Sequence, residues 1–254
     1  WTWGKVLRYA GHPIPFKDAW EIYFIGNLGH YIPGKVWTVA GVAYMAERKG
    51  IPPMAAGASI VFAQAYSIIS SLAFFPAFLI LSAGESSWLR LEWTIPAILA
   101  FVGIFMFPGN LERILNRVLA FMGKERISLD LTPGKAVRIT VLYTISWGMF
   151  GAAFWLFVSA VTRDGTVSPV LLTAVYALSY VAGYLAFFAP GGLGVREGAA
   201  SYLLSSAMSP GVAVLVTFLV RLPSTLVEIF CVLLILLRKG FSYVKSETAA
   251  GKRS

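Results

Sequence analysis

Charge, cysteine and histidine are all scarce in this chain. Charged residues fill 13% of its 254 positions, where ordinary soluble domains carry about 25%. A soluble globular domain is excluded on that ground. With 57% hydrophobic residues, the composition is that of an integral membrane protein. A single cysteine, Cys231, lies inside an apolar run, so no intrachain disulfide can form. Two histidines, His12 and His30, give no metal-ligand spacing. No nucleophile elbow, metalloprotease helix or Gly-Lys-Ser/Thr phosphate loop occurs. We therefore expect no enzyme, no metal and no cofactor. An intramembrane reaction using Glu197 or Glu228 as acid or base is the one enzymatic alternative.

What is present is basic charge. The formal net charge is +9, with Lys and Arg scattered over the loops. That suits the positive-inside bias of cytoplasmic loops and attraction to anionic headgroups. It does not suit nucleic acid. The chain opens on Trp1 with no cleavable signal pattern, so preceding sequence is expected.

Residues 1–16 carry Gly11, Pro13 and Pro15 and read as a loop. Phe16 to His30 reads as a helix, and Val36 to Ala46 as a helix too short to span. Met54 to Ala83 is a span without charge. A short loop at 84–93 and an apolar segment at 94–107 follow. Over 111–122 the apolar positions Leu111, Ile114, Leu115, Val118, Leu119 and Met122 share one helix face, which predicts an interfacial amphipathic helix. Ile139 to Val161, Val170 to Ala189 and Gly211 to Leu237 read as spans, with a short helix at 195–208. The 109–138 connection and the tail are both basic and expected in the cytoplasm. Three spans between them leave the side of the tail open.

Two Gly/Pro breaks interrupt this apolar pattern, at Pro33-Gly34 and at Pro190-Gly191-Gly192-Leu193-Gly194. Gly41 and Gly198 each lie eight residues past the proline, and Ala43 and Ala200 ten. Gln64, Ser67 and Ser71 lie 31, 34 and 38 residues past Pro33; Arg221, Ser224 and Glu228 stand at the same offsets from Pro190. Chance among Gly/Ala/Pro-rich segments is one explanation. The other is an internal repeat with halves at about 16–83 and 170–237, each holding a re-entrant element and a span. Paired broken segments in corresponding positions point to a transporter binding site.

Arg221 and Glu228 lie seven apart in an apolar run of 27 residues. A charge at a helix centre costs about 2.5–3.5 kcal/mol on insertion scales. Two readings stand. They form a structural ion pair, or Arg221 meets a phosphate that its planar fork suits, with Glu228 as balance. Arg196 and Glu197 open a helix whose free N–H groups favour an anion; Glu197 alternatively caps that helix. Lys35 contacts headgroups or sets topology.

The strings Gly26-Asn27-Leu28-Gly29, Tyr31-Ile32-Pro33-Gly34-Lys35-Val36-Trp37, Pro190-Gly191-Gly192-Leu193-Gly194-Val195-Arg196-Glu197-Gly198 and Val220-Arg221-Leu222 resemble the lysylphosphatidylglycerol synthase transmembrane-region family. The resemblance covers nearly the whole chain. His30 departs from the Lys or Arg expected there. The resemblance implies a stand-alone, flippase-type domain of the inner membrane of a bacterium or archaeon, which binds or moves lipids. No synthase domain is present, so aminoacyl transfer is not implied.

The expected fold is thus an all-α polytopic membrane protein, a single domain over 1–254. The expected function is binding and flipping of an anionic phospholipid or lipid-linked sugar. The substrate-binding candidates are Arg196, Arg221, Glu228, Glu197, Lys35, Asn27 and Gln64, with Pro33, Gly34, Pro190, Gly191, Gly192 and Gly194 shaping the breaks. The alternative is a non-transporting membrane partner of a lipid-modifying or glycosyl-transfer enzyme. Membrane lipids are the expected partners, with a homodimer or a partner enzyme as further ones.

Overall fold

The computed structural model describes residues 1–82, 107–121, 130–163 and 165–251, with isolated positions 92, 96, 103, 123 and 126 between them; side chains at 118, 239 and 241–251 are not described. The loop at 84–93 and the apolar segment at 94–107 fall almost wholly outside the described residues. The described chain is helical, with no strand among the described residues.

The chain opens on α1 (Thr2–Tyr9), where a loop was expected. Its spacing explains the difference. Trp3, Val6 and Leu7 fall at i, i+3 and i+4 and are all buried, and the Trp3 indole N–H donates to Ser59 Oγ at 3.0 Å. Gly11, at φ 86°, then turns the chain. α2 (Phe16–Asn27) runs into a 3₁₀ turn at Leu28–Tyr31, and the break at Ile32–Lys35 leads to α3 (Val36–Glu47). α3 has the short, non-spanning length anticipated.

α4 (Pro53–Leu72) and α5 (Phe75–Ser82) together form one apolar length, bent between them. Pro76 accounts for the bend, since it removes the hydrogen bond to the carbonyl of Leu72. α6 (Pro108–Phe121) matches the amphipathic prediction: Leu111 and Leu119 are buried while Glu112 is half-buried and Arg113 and Arg117 are at its surface or edge. α7 (Pro133–Thr162) begins with Thr132 as a side-chain cap, and α8 (Pro169–Leu185) with Ser168. A Pro in the first turn lacks an N–H that would be unpaired there anyway.

The second break occupies Ala186–Gly194, with a 3₁₀ turn at Pro190–Gly192. It leads to α9 (Val195–Leu204), α10 (Pro210–Leu219) and α11 (Arg221–Gly251). The span expected over 211–237 is therefore bent at Val220, four residues before Ser224 and just ahead of Pro223. That proline again explains the site of the bend.

Three lengths, Pro53–Ser82, Pro133–Thr162 and Pro210–Arg238, are long and apolar enough to cross a bilayer; α8 is a shorter apolar helix. Leu226, Val227, Ile229, Phe230, Leu233 and Leu234 of α11 are exposed, as expected of side chains facing lipid tails rather than water.

The interior is held by two apolar clusters. One gathers Trp3, Val6, Leu7, Ile22, Val42, Phe62, Tyr66 and Ile139 around the first break. The other gathers Phe154, Val158, Leu172, Val175, Leu204 and Val216 around the second. α7 contributes to both, and α4 packs against α7 and α8. The two breaks meet where the 3₁₀ turns touch.

Candidate functional site

Both breaks turn on a glycine at the same place. Gly34 has φ 89° and Gly191 has φ 57°, values that side chains with a Cβ rarely adopt. Gly192 and Gly194 follow at φ 70° and 79°. At Gly191 space is limiting as well. An added Cβ would lie 3.1 Å from Arg221 Nη2 and 3.2 Å from His30 Cδ2, so the first break's imidazole is packed directly on the second break's backbone.

Charges enter at α9. Glu197 is 3% exposed. One of its oxygens accepts from the Gly194 N–H at 2.7 Å and closes the first turn of its own helix. Its other oxygen pairs with Arg221 Nη1, and Arg221 Nη2 donates to Gly191 O at 2.9 Å. The partner of Arg221 is thus Glu197, with Glu228 bonded elsewhere. The free helix N-terminus considered for an anion is filled by Glu197 itself.

Glu228 lies two turns further along α11 and faces the first break. Tyr31 OH donates to Glu228 Oε2 at 2.8 Å, and Asn27 Nδ2 approaches Oε1 at 3.5 Å. His30 Nδ1 is 2.6 Å from Asn27 O and 3.8 Å from Glu228 Oε1. A donor is required opposite a carbonyl, which places the proton on Nδ1.

Arg196 behaves differently. Its guanidinium stacks 4.6 Å from the Tyr176 ring centroid and 5.5 Å from that of Tyr180. Among the described residues it has no carboxylate partner. Arg196 opens onto a pocket lined also by Phe154, Tyr176, Ser179, Glu197, Thr217, Arg221 and Ser224. Since Glu197 and Arg221 neutralise one another, the charge left in that pocket is the cation of Arg196.

Lys35, from the first break, also packs on α8. Its Nζ donates to Gly183 O at 3.3 Å and sits 5.1 Å from the Tyr184 ring centroid. Gln64 accepts from Tyr180 OH at 3.2 Å, and its buried Nε2 has no hydrogen-bond partner among the described residues. Lys35, Gln64 and Arg196 are therefore arranged along one row, Tyr176, Tyr180 and Tyr184. Sequence reasoning had not singled out these tyrosines. The signal was available: they recur at i, i+4 and i+8 and so share a helix face. Pro33 follows the first 3₁₀ turn and Pro190 opens the second; neither lines the pocket.

Apolar helices broken twice by glycine turns, with paired charges held between the breaks, define an all-α polytopic membrane protein. More narrowly, the chain belongs to the lysylphosphatidylglycerol synthase TM region family, which matches over residues 1–232. Neither a curated protein nor a solved structure matches it. Family membership relates this membrane domain to the handling of lipids.

Proposed function

We propose that the protein binds an anionic lipid headgroup in the pocket beside its second break and flips it across the cytoplasmic membrane of a bacterium or archaeon. The headgroup is a phospholipid phosphate or the phosphate of a lipid-linked sugar. One observation carries this reading: Arg196 is a cation without a carboxylate partner among the described residues, held against Tyr176 at the pocket. Stacking fixes the guanidinium plane and leaves its N–H edge for bidentate contact with phosphate oxygens. Ser179, Thr217 and Ser224 line the same pocket, each hydroxyl donating to a backbone carbonyl three residues earlier. Arg221, closed on Glu197, shapes the path from the rear. The breaks act as re-entrant elements, because irregular backbone at membrane depth is tolerated where protein or a water-filled cavity surrounds it. No reaction is assigned to the carboxylates.

The closed Arg221–Glu197 pair also favours a second reading, in which that pair is purely structural and the protein is a non-transporting partner of a lipid-modifying or glycosyl-transfer enzyme.

Reconstitution separates them. Vesicles containing the protein and a fluorescent phosphatidylglycerol analogue should show transbilayer movement of the probe. Arg196→Ala should slow it by about tenfold to a hundredfold, the equivalent of one charge-assisted hydrogen bond, while the melting temperature is kept. Movement by Arg196→Ala at the wild-type rate sinks the path assignment. A wild-type protein that moves no probe supports the partner reading.

A further inference from the structure

We propose that Lys35 and Gln64 form a second phosphate subsite beside Arg196, so that the headgroup this protein prefers is a diphosphate rather than a single phosphate. The inference rests on the lipid-headgroup reading above and names its substrate class.

Two cations reach the same turn of α8, one from each break. Lys35 Nζ donates to Gly183 O at 3.3 Å and lies 5.1 Å from the Tyr184 ring centroid. Arg196 packs on the same glycine, where an added Cβ would lie 2.8 Å from Arg196 Cβ. Its guanidinium lies 5.5 Å from the Tyr180 ring centroid. The Tyr180 and Tyr184 rings are stacked, with centroids 6.2 Å apart and planes at 19°. Arg221 is matched by Glu197, whereas Lys35 and Arg196 have no carboxylate partner among the described residues. Unmatched like charges on one turn repel each other, and charge at membrane depth is costly. An anion with enough charge for both cations removes that cost.

A third group defines the chemistry. Gln64 on α4 uses its oxygen to accept from Tyr180 OH, while its buried Nε2 has no partner among the described residues. A buried donor left unpaired is penalised more than a made hydrogen bond is rewarded. The Lys35 ammonium carries three donors, and its bond to Gly183 uses one of them. Lys35 and Gln64 Nε2 therefore offer donors and no acceptor. Phosphate oxygens fit that set; the ammonium of an amine headgroup does not. Neither Lys35 nor Gln64 lines the Arg196 pocket. The subsite is separate from it and joined to it through Tyr180 and Gly183, which Arg196 also touches.

Farnesyl monophosphate and farnesyl diphosphate differ by one phosphate and test this directly. Their affinities for the purified full chain in detergent are measured by microscale thermophoresis. The wild type should bind the diphosphate about tenfold to a hundredfold more tightly, the equivalent of one further charge-assisted contact. Lys35→Met should remove that preference, and Lys35→Arg, which keeps the cation, should retain most of it. Gln64→Glu keeps an acceptor for Tyr180 OH but loses the free donor, and should also lower the preference. Thermal unfolding of each variant shows that it is folded. If Lys35 serves only to close the last turn of α8, Lys35→Met lowers the melting temperature and leaves the preference intact, which overturns the proposal. Equal binding of the two lipids by the wild type overturns it too. Inorganic diphosphate, which has no tail to bury, should bind more weakly than farnesyl diphosphate; equal affinity overturns the assignment to a lipid. Monophosphate binding that Arg196→Ala weakens, without any preference for diphosphate, removes the second subsite and keeps the headgroup reading. If neither lipid binds, both fail.

Discussion

Where the first break places Val39 and Ala40, the second places Arg196 and Glu197, six and seven residues past the corresponding prolines. Their backbones make the same demand, a glycine at positive φ directly after the proline. Their side chains do not. The first break supplies neutral donors, Asn27 and Tyr31, together with His30 and Lys35; the second supplies a stacked cation and a closed ion pair. The turn geometry and the electrical role are therefore separable. The glycines make the gap, and α9 with the start of α11 decides which charge faces it. Each charge cluster is also completed from the other break: Glu228 by Tyr31, and the Arg221–Gly191 contact by the packing of His30.

The two carboxylates give the sharpest contrast. Glu197→Gln leaves Arg221 without its anion in a buried setting and should destabilise the fold by about 3–5 kcal/mol. Glu228→Gln, whose hydrogen-bond partners are neutral, should cost clearly less. Thermal unfolding in detergent checks both, and equal losses would contradict the separation of roles.

Glycines that allow close approach come next. Gly26 and Gly183 occupy matching places before the two breaks. A Cβ on Gly26 would lie 2.7 Å from the backbone nitrogen of Val42, while on Gly183 it would lie 2.8 Å from Arg196 Cβ. Overpacking of this kind costs about 1–3 kcal/mol. Gly26→Ala should fall at the upper end, because the obstacle is backbone, and Gly183→Ala lower. Gly183→Ala should in addition disturb Arg196 and slow probe movement, which Gly26→Ala should do less. The reverse order in either readout would break the comparison.

The smallest effect belongs to Lys49, in the turn after α3. Its hydrogen bond to Asp18, 2.8 Å long, and then the nearby Glu21 raise its pKa above the ordinary lysine value. A raised pKa means the charged form is favoured by folding. The stabilisation is thus complete below the unfolded value of about 10.4 and disappears as pH climbs through the folded value. Lys49 is 34% exposed, so solvent screening limits the gain to about 0.2–1 kcal/mol. Asp18→Asn should remove the larger part of this pH dependence from the melting curve, leaving the part due to Glu21.

Much of the architecture was legible from residue order. The breaks, the short α3 and α9 and the amphipathic α6 follow from where Gly, Pro and charge interrupt apolar runs. α1 was missed because Gly11, Pro13 and Pro15 made 1–16 look irregular, although Trp3, Val6 and Leu7 already shared a face. Bends at Leu72–Phe75 and Val220 follow from Pro76 and Pro223 once their missing hydrogen bonds are traced backwards. Partner choice was less accessible. Arg221 and Glu228 share a face, but seven residues amount to about 10.5 Å of rise, beyond the i+3 and i+4 neighbours that pair on one helix. Each had to find its partner on another element, and which one depends on how the breaks pack. The aromatic row on α8 was hidden for another reason: tyrosines at helical spacing in a membrane segment look like ordinary lining until Arg196 and Lys35 are seen stacked on them.

The central claim is that an anionic headgroup sits on Arg196 in the pocket beside the second break. An experimental structure of the protein in nanodiscs rich in phosphatidylglycerol tests it most directly. The account predicts headgroup density within hydrogen-bond reach of the Arg196 guanidinium, beside Tyr176 and the Ser224 hydroxyl. A pocket free of lipid, with headgroups found only at the outer surface, would contradict it.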